Sequence, residues 1–166
     1  MMKRSIHDFK WHVVWKKITS DEIEQVVSFW LRLGILSRLE AAKRAKQVVI
    51  IIKNKNEEVV GVSTAFHTYF KELRSYVYAY RCLIHKDSRV IGMETKLTIE
   101  TKSILEKDLN SFKENKPVGL LAVVQNERLS SNARYVIWPG VNMIYIGNNS
   151  TGDSIRISYF DNARLA

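Results

Sequence analysis

The segment Leu83-Ile84-His85-Lys86-Asp87-Ser88-Arg89-Val90-Ile91-Gly92-Met93-Glu94 holds the densest chemistry in the chain. An arginine and, three residues on, a glycine stand where a strand pattern gives way to a helical one. A helix N-terminus offers backbone N–H groups and the positive end of the helix dipole. Gly92 lets an anion approach the backbone, and Arg89 adds charge and donors. Such a loop suits a phosphorylated ligand, although an ordinary glycine-containing turn ahead of a helix has the same composition. For proton transfer, His67 and His85 carry the side chain whose ordinary pKa lies nearest neutrality. Glu72, in the turn after His67, is a weaker candidate. Cys82 lies mid-strand with no base beside it, so nucleophilic use is not expected. His7 and His12 are five apart with no further ligands nearby, so no metal site is expected. P-loop and dinucleotide glycine patterns are absent.

The elements that must position these residues follow from periodicity. His12 to Ile18 reads as a first strand. Thr19 and Ser20 offer helix caps, with Glu22 three residues after Thr19 as in a capping box. Ile23, Val26, Val27, Trp30 and Leu31 recur at helical spacing, and Gly34 is a stop. A second helix is expected over about Arg38 to Lys46. Val48–Ile52 and Val59–Phe70 form a hairpin with its turn near Asn54–Asn56. Ser75–Ile84 is the next strand, with Tyr76, Tyr78, Tyr80 and Cys82 on one face. The longest helix runs from about Ile91 to Leu109, and Val118–Val124 is a buried strand. Gln125–Arg134 is polar, with room for a short helix. Val141–Ile146 and Ser154–Phe160 are two last strands. Strands that begin as a meander and continue through helices argue for a mixed α/β sheet covered by helices.

The 166 residues, 46% of them hydrophobic and 26% charged, fit a single globular domain spanning 1–166. No run approaches the roughly 20 apolar residues that span a bilayer, so no membrane partner is expected. The lone Cys82 and the missing signal-peptide pattern make the cytoplasm the expected location. The net charge of +9 suits either a solvated basic surface or a polyanionic partner such as nucleic acid, an acidic protein or a phosphorylated cofactor. Lys10, Lys16 and Lys17 interleave with Trp11 and Trp15, and Arg38, Lys43, Arg44 and Lys46 share the second helix. The oligomeric state is not encoded in any of these features.

From about Trp11 to Phe160 the element order resembles the GNAT (Gcn5-related N-acetyltransferase) superfamily. The local carrier is the loop quoted above. The family pattern there is a strand, a turn often holding a histidine, Arg or Gln, two residues, Gly, one residue, and Gly or Ala. Arg89 and Gly92 match, and His85 sits in the turn. Val90 replaces a common glycine. Glu94 stands in place of Gly or Ala, where a carboxylate would repel a pyrophosphate by about 1 to 4 kcal/mol depending on dielectric. The resemblance implies an acyl-CoA-dependent N-acyltransferase that uses acetyl-CoA or another acyl-CoA and a small-molecule or macromolecular amine acceptor. It implies Leu83 and Ile84 along the pantetheine arm, and Arg89, Val90, Ile91, Gly92 and Met93 at the pyrophosphate. Asn126 follows the fifth strand as the family's Asn does. Tyr135 resembles the family's acid, with His85 or His67 as base. The alternative is a GNAT-like protein, weak or inactive in catalysis, that binds nucleic acid or an acidic protein through its basic surface.

Overall fold

The computed structural model describes residues 5–125 and 135–165. The order is β1 (Lys10–Val13), α1 (Ser20–Arg32), α2 (Arg38–Ala45), β2 (Val48–Lys53), β3 (Val59–Phe70), β4 (Ser75–Ile84), α3 (Met93–Asp108), β5 (Gly119–Val124), β6 (Ile137–Trp138), β7 (Met143–Asn148) and β8 (Ser154–Tyr159). The strands form one mixed sheet in the order β1-β2-β3-β4-β5-β8-β7-β6. β4 and β5 are parallel; β1–β2, β2–β3, β5–β8, β8–β7 and β7–β6 are antiparallel. Among the described residues, no helix is long and apolar enough to cross a membrane. Packing groups the chain into two compact units, Met1–Ala65 with Cys82–Thr101 and Phe66–Arg81 with Lys102–Ala166.

In the first unit, α1 starts as the sequence suggests. The Thr19 hydroxyl accepts from the Glu22 N–H, and the Glu22 carboxylate accepts from the Thr19 N–H. Ser37 and Glu40 repeat this box at α2. Val26, Val27, Phe29 and Trp30 pack with Ala41 and Ala45 of α2 and with Val48, Ile51 and Val62 of the sheet. The two alanines let α2 lie close. β2 is buried at every position, as expected of a strand covered on both faces. The Thr101 hydroxyl of α3 donates to the Ser63 hydroxyl of β3 at 2.8 Å, both groups being buried. The first strand differs from the sequence expectation of His12 to Ile18. Val14 N–H donates to the Val49 carbonyl, Lys17 N–H donates back to the Val14 carbonyl, and Lys16 takes φ 61°. That turn ends the strand before Trp15.

The second unit is centred on β5, which pairs with β4 over Tyr78–Tyr80 and with β8 along its whole length. Val77, Val118, Leu121, Ile155 and Ile157 form its core. A Cβ at Gly119 would lie 2.4 Å from the Ser158 carbonyl oxygen, so the β5–β8 approach depends on the missing side chain. The Arg156 side chain is fully buried, with its guanidinium 4.2 Å from the Trp138 ring centroid and 5.7 Å from that of Tyr145. It donates to the carbonyls of Val136 and Met143, both at 3.5 Å. Burial pulls its pKa below the usual range. β6, which periodicity did not reveal, is the strand this cation clamps. β7 begins two residues later than expected, because Gly140 and Asn142 take φ 83° and 51° in the turn before it.

Two stability outcomes follow from these contacts. Gly119→Ala lowers unfolding free energy by about 1–3 kcal/mol in urea titrations, as overpacking against backbone does. Burial, followed by the bond that its hydroxyl donates to the Asp108 carboxylate at 2.9 Å, raises the Tyr78 pKa well above the ordinary phenol range. The folded state therefore keeps this proton. Above pH about 10 the unfolded chain releases it, so stability falls as pH rises from there. Urea midpoints between pH about 9 and 11 fall less steeply in Tyr78→Phe than in the parent.

Candidate functional site

The loop between β4 and α3 lies wholly within the first unit and is built from local hydrogen bonds. The His85 N–H donates to the Val60 carbonyl at 2.7 Å, holding the end of β4 to β3. A single 3-10 turn follows at Lys86–Ser88. His85 caps it, its Nδ1 accepting from the Asp87 N–H at 3.3 Å, while the Ser88 N–H donates to the His85 carbonyl. Ser88 is buried and anchors the turn. Arg89 then resumes an extended backbone.

At the helix entrance, the Met93 N–H donates to the Val90 carbonyl and the Lys96 N–H to the Gly92 carbonyl. Gly92 is thus the last residue before the helix, and its φ of +82° is one that L side chains rarely adopt. Ile91 is almost fully exposed and Gly92 and Thr95 are exposed, while Met93 beneath them is buried. With the Met93 N–H taken by Val90, the Glu94 and Thr95 N–H groups are the ones the first turn of α3 can offer an anion at this exposed entrance.

The charges at this entrance nearly cancel. The Arg89 Nε donates to the Ile84 carbonyl at 3.2 Å and lies 3.8 Å from a Glu94 carboxylate oxygen. Both side chains are more than one-third exposed, so the pair itself contributes little to stability. Its consequence is electrostatic, since Glu94 offsets the positive charge that Arg89 brings to the helix end. One turn along, Lys96 lies over the Trp11 ring at 4.8 Å and pairs with Glu100 at 3.6 Å.

The other residues singled out from the sequence stand as follows. Leu83 is half-buried and Ile84 buried at the end of β4, the Ile84 carbonyl being taken by Arg89. In the second unit, His67 stacks on Tyr76, and its Nε2 lies 2.8 Å from the Asn115 carbonyl. A carbonyl only accepts, so that nitrogen carries the proton. Tyr135 is 61% exposed and stands outside any helix or strand, two residues before β6. Asn126, and almost all of the expected short helix over Gln125–Arg134, lie outside the described residues. Cys82 is exposed. Among the described residues, no group of three or more His, Cys, Asp or Glu could hold a metal ion.

No family model matches the sequence, and no curated protein matches it. Solved structures do match. A ribosomal-protein-S5-alanine acetyltransferase from Vibrio fischeri aligns with a TM-score of 0.63 at 10% identity, over 99% of this chain and 100% of that one. A GNAT superfamily phosphinothricin acetyltransferase from Sinorhizobium meliloti, solved in complex with AcCoA, aligns with a TM-score of 0.66 at 10% identity, over 96% of this chain and 94% of that one. The chain has the GNAT fold. An acetyltransferase of the GNAT family from Streptococcus pneumoniae adds a TM-score of 0.57 at 14% identity, over 95% of this chain and 94% of that one.

Within this GNAT fold, sequence reasoning found the loop but not the link between Arg89 and Glu94. Their spacing of five residues matches no helical pair, because Arg89 lies outside the helix. It also missed Arg156. The Ser-Ile-Arg-Ile-Ser alternation of β8 puts Arg156 on the face of the serines, and the rings that cover it, Trp138 and Tyr145, lie elsewhere in the sequence.

The charge balance is open to test with inorganic pyrophosphate as the probe. In calorimetry, Glu94→Gln binds it about fivefold more tightly than the parent, the effect of removing roughly 1 kcal/mol of repulsion at solvent-like dielectric. Arg89→Ala binds it about fivefold more weakly.

Proposed function

We propose that the chain is an acyl-CoA-dependent N-acyltransferase that transfers an acetyl or related acyl group to an amine. One observation carries this reading: in a chain with the GNAT fold, α3 opens directly after β4 on an exposed glycine at φ +82°. An AcCoA complex among the structural neighbours supports it. The N–H groups of the first α3 turn and the Arg89 guanidinium suit a pyrophosphate, and Val90, Ile91 and Met93 set the loop's shape around it. The backbone of Leu83 and Ile84 is the proposed path of the pantetheine arm. Asn126 is proposed alongside them as a cofactor contact.

When bound, an acyl-CoA supplies a thioester whose carbonyl carbon is open to attack by an amine nitrogen. In the balanced reaction a C–N bond forms, the C–S bond breaks, the nitrogen gives up a proton and the sulfur gains one. Tyr135 is the proposed donor of the proton to sulfur, its exposed phenol leaving it free to meet a ligand. His67 and His85 are the proposed acceptors of the amine proton. Each holds one ring nitrogen in a structural bond, so each would use its other nitrogen or exchange that bond. Tyr135→Phe lowers kcat more than KM if this assignment holds.

The second reading, a GNAT-like binding protein of weak catalytic power, is favoured by Glu94, whose carboxylate shares the helix entrance with Arg89. Calorimetry with acetyl-CoA separates the two readings. Saturable heat at micromolar to submillimolar cofactor supports the enzyme, whereas no heat up to about 1 mM, beyond about −4 kcal/mol of affinity, sinks it.

A further inference from the structure

The far end of the β3–β4 hairpin carries aromatic side chains that the core does not use. The Tyr78 and Phe160 rings are buried and meet edge-on at 6.4 Å. From Tyr78 the contacts run outward. Phe112 lies 6.2 Å away and His67 6.3 Å. His67 meets Phe112 at 4.9 Å and stacks on Tyr76 at 4.8 Å with only 11° between planes. Tyr76 in turn meets Tyr69 at 5.2 Å. Exposure grows along this series, since Phe112 and Tyr76 are half-buried, His67 is exposed and Tyr69 is 51% exposed.

Asp108, the last residue of α3, meets Tyr78 at the buried end of the series, whereas Tyr69 at its other end stays exposed.

Cations stand close to these rings along the chain. Lys71 and Arg74 sit in the hairpin turn, Arg74 at φ 48°. Lys113 follows Phe112, and Lys116 follows Asn115, whose carbonyl meets His67. All four are exposed, as are the two intervening carboxylates, Glu72 and Glu114. Charge alone would suit any polyanion. Open aromatic rings among cations suit one whose own rings are free to stack, which duplexes and acidic peptides are not.

We propose that the outer end of the β3–β4 hairpin, with Tyr69, Tyr76, His67 and Phe112, is a stacking surface for single-stranded nucleic acid. It lies within the second unit and shares only His67 with the proposed acyl transfer, so the test rests on Tyr69 and the lysines, which have no part in that reaction, and is run without acyl-CoA.

Fluorescence anisotropy of a labelled oligouridylate, about 12 nucleotides long and in about 50 mM salt, tests it. Binding is expected to weaken steadily with salt. Tyr69→Ala loses about fivefold or more in affinity, and Tyr69→Phe stays within about twofold of the parent. Lys71→Ala combined with Lys113→Ala lowers the slope of log affinity against log salt by about 1. Should Tyr69→Ala melt below the parent, the Phe and Lys variants, which keep the ring packing, decide in its place. Three results would overturn the proposal. One is no binding up to about 100 μM protein. Another is equal affinity for polyglutamate or for an abasic oligomer of the same length. The third is unchanged affinity in a Tyr69→Ala protein that melts as the parent does.

Discussion

Two parallel neighbours in a sheet cannot be joined by a tight turn. The chain must cross a face of the sheet between them, and a helix does so with its backbone groups paired everywhere but at its two ends. β4 and β5 are that parallel pair, and α3 is that crossover. The C-terminal end of β4 therefore leads into the N-terminal, electropositive end of a sixteen-residue helix. The turn between them has little length in which to reverse direction. His85 and Ser88 spend it on one 3-10 turn, and Gly92 supplies the left-handed step that starts the helix. The candidate phosphate site is thus a product of sheet topology before it is a product of any charged side chain.

Side chains then modify what the topology provides. Arg89 would be the natural cation of the site, but it is held to the Ile84 carbonyl and faces Glu94. The carboxylate is favourable for the helix, because it lies in the first turn near the positive dipole end. It is unfavourable for any anion arriving at the same place. Local helix stability and anion affinity therefore pull on position 94 in opposite directions.

Much of this was readable in the sequence, for local reasons. The Thr19–Glu22 box, the long β3 and β4 runs and the helical spacing of apolar residues in α1 each carry their signal within a few residues. The bounds of β3 and β4 were read as the structure has them. What escaped was set by partners far along the chain. The turn at Lys16 is fixed by β2, through Val49. β6 is only two residues long and is held by Arg156 of β8, so no periodicity could reveal it. Within the loop, the residue types of Arg89 and Gly92 pointed to phosphate, while the cancelling contact of Glu94 needed coordinates.

Among the described residues, the strands that end the sheet are also its shortest, β1 with four residues and β6 with two. Each outermost strand presents a row of backbone donors and acceptors on which a strand from another molecule can align. Rows this brief give an incoming chain few bonds and little register. Pro139, next after β6, contributes no N–H at all. Lys10 begins β1 with a charge at the other margin, paired with Glu57. A broad sheet rich in Val and Ile is thereby protected against growing sideways into aggregates.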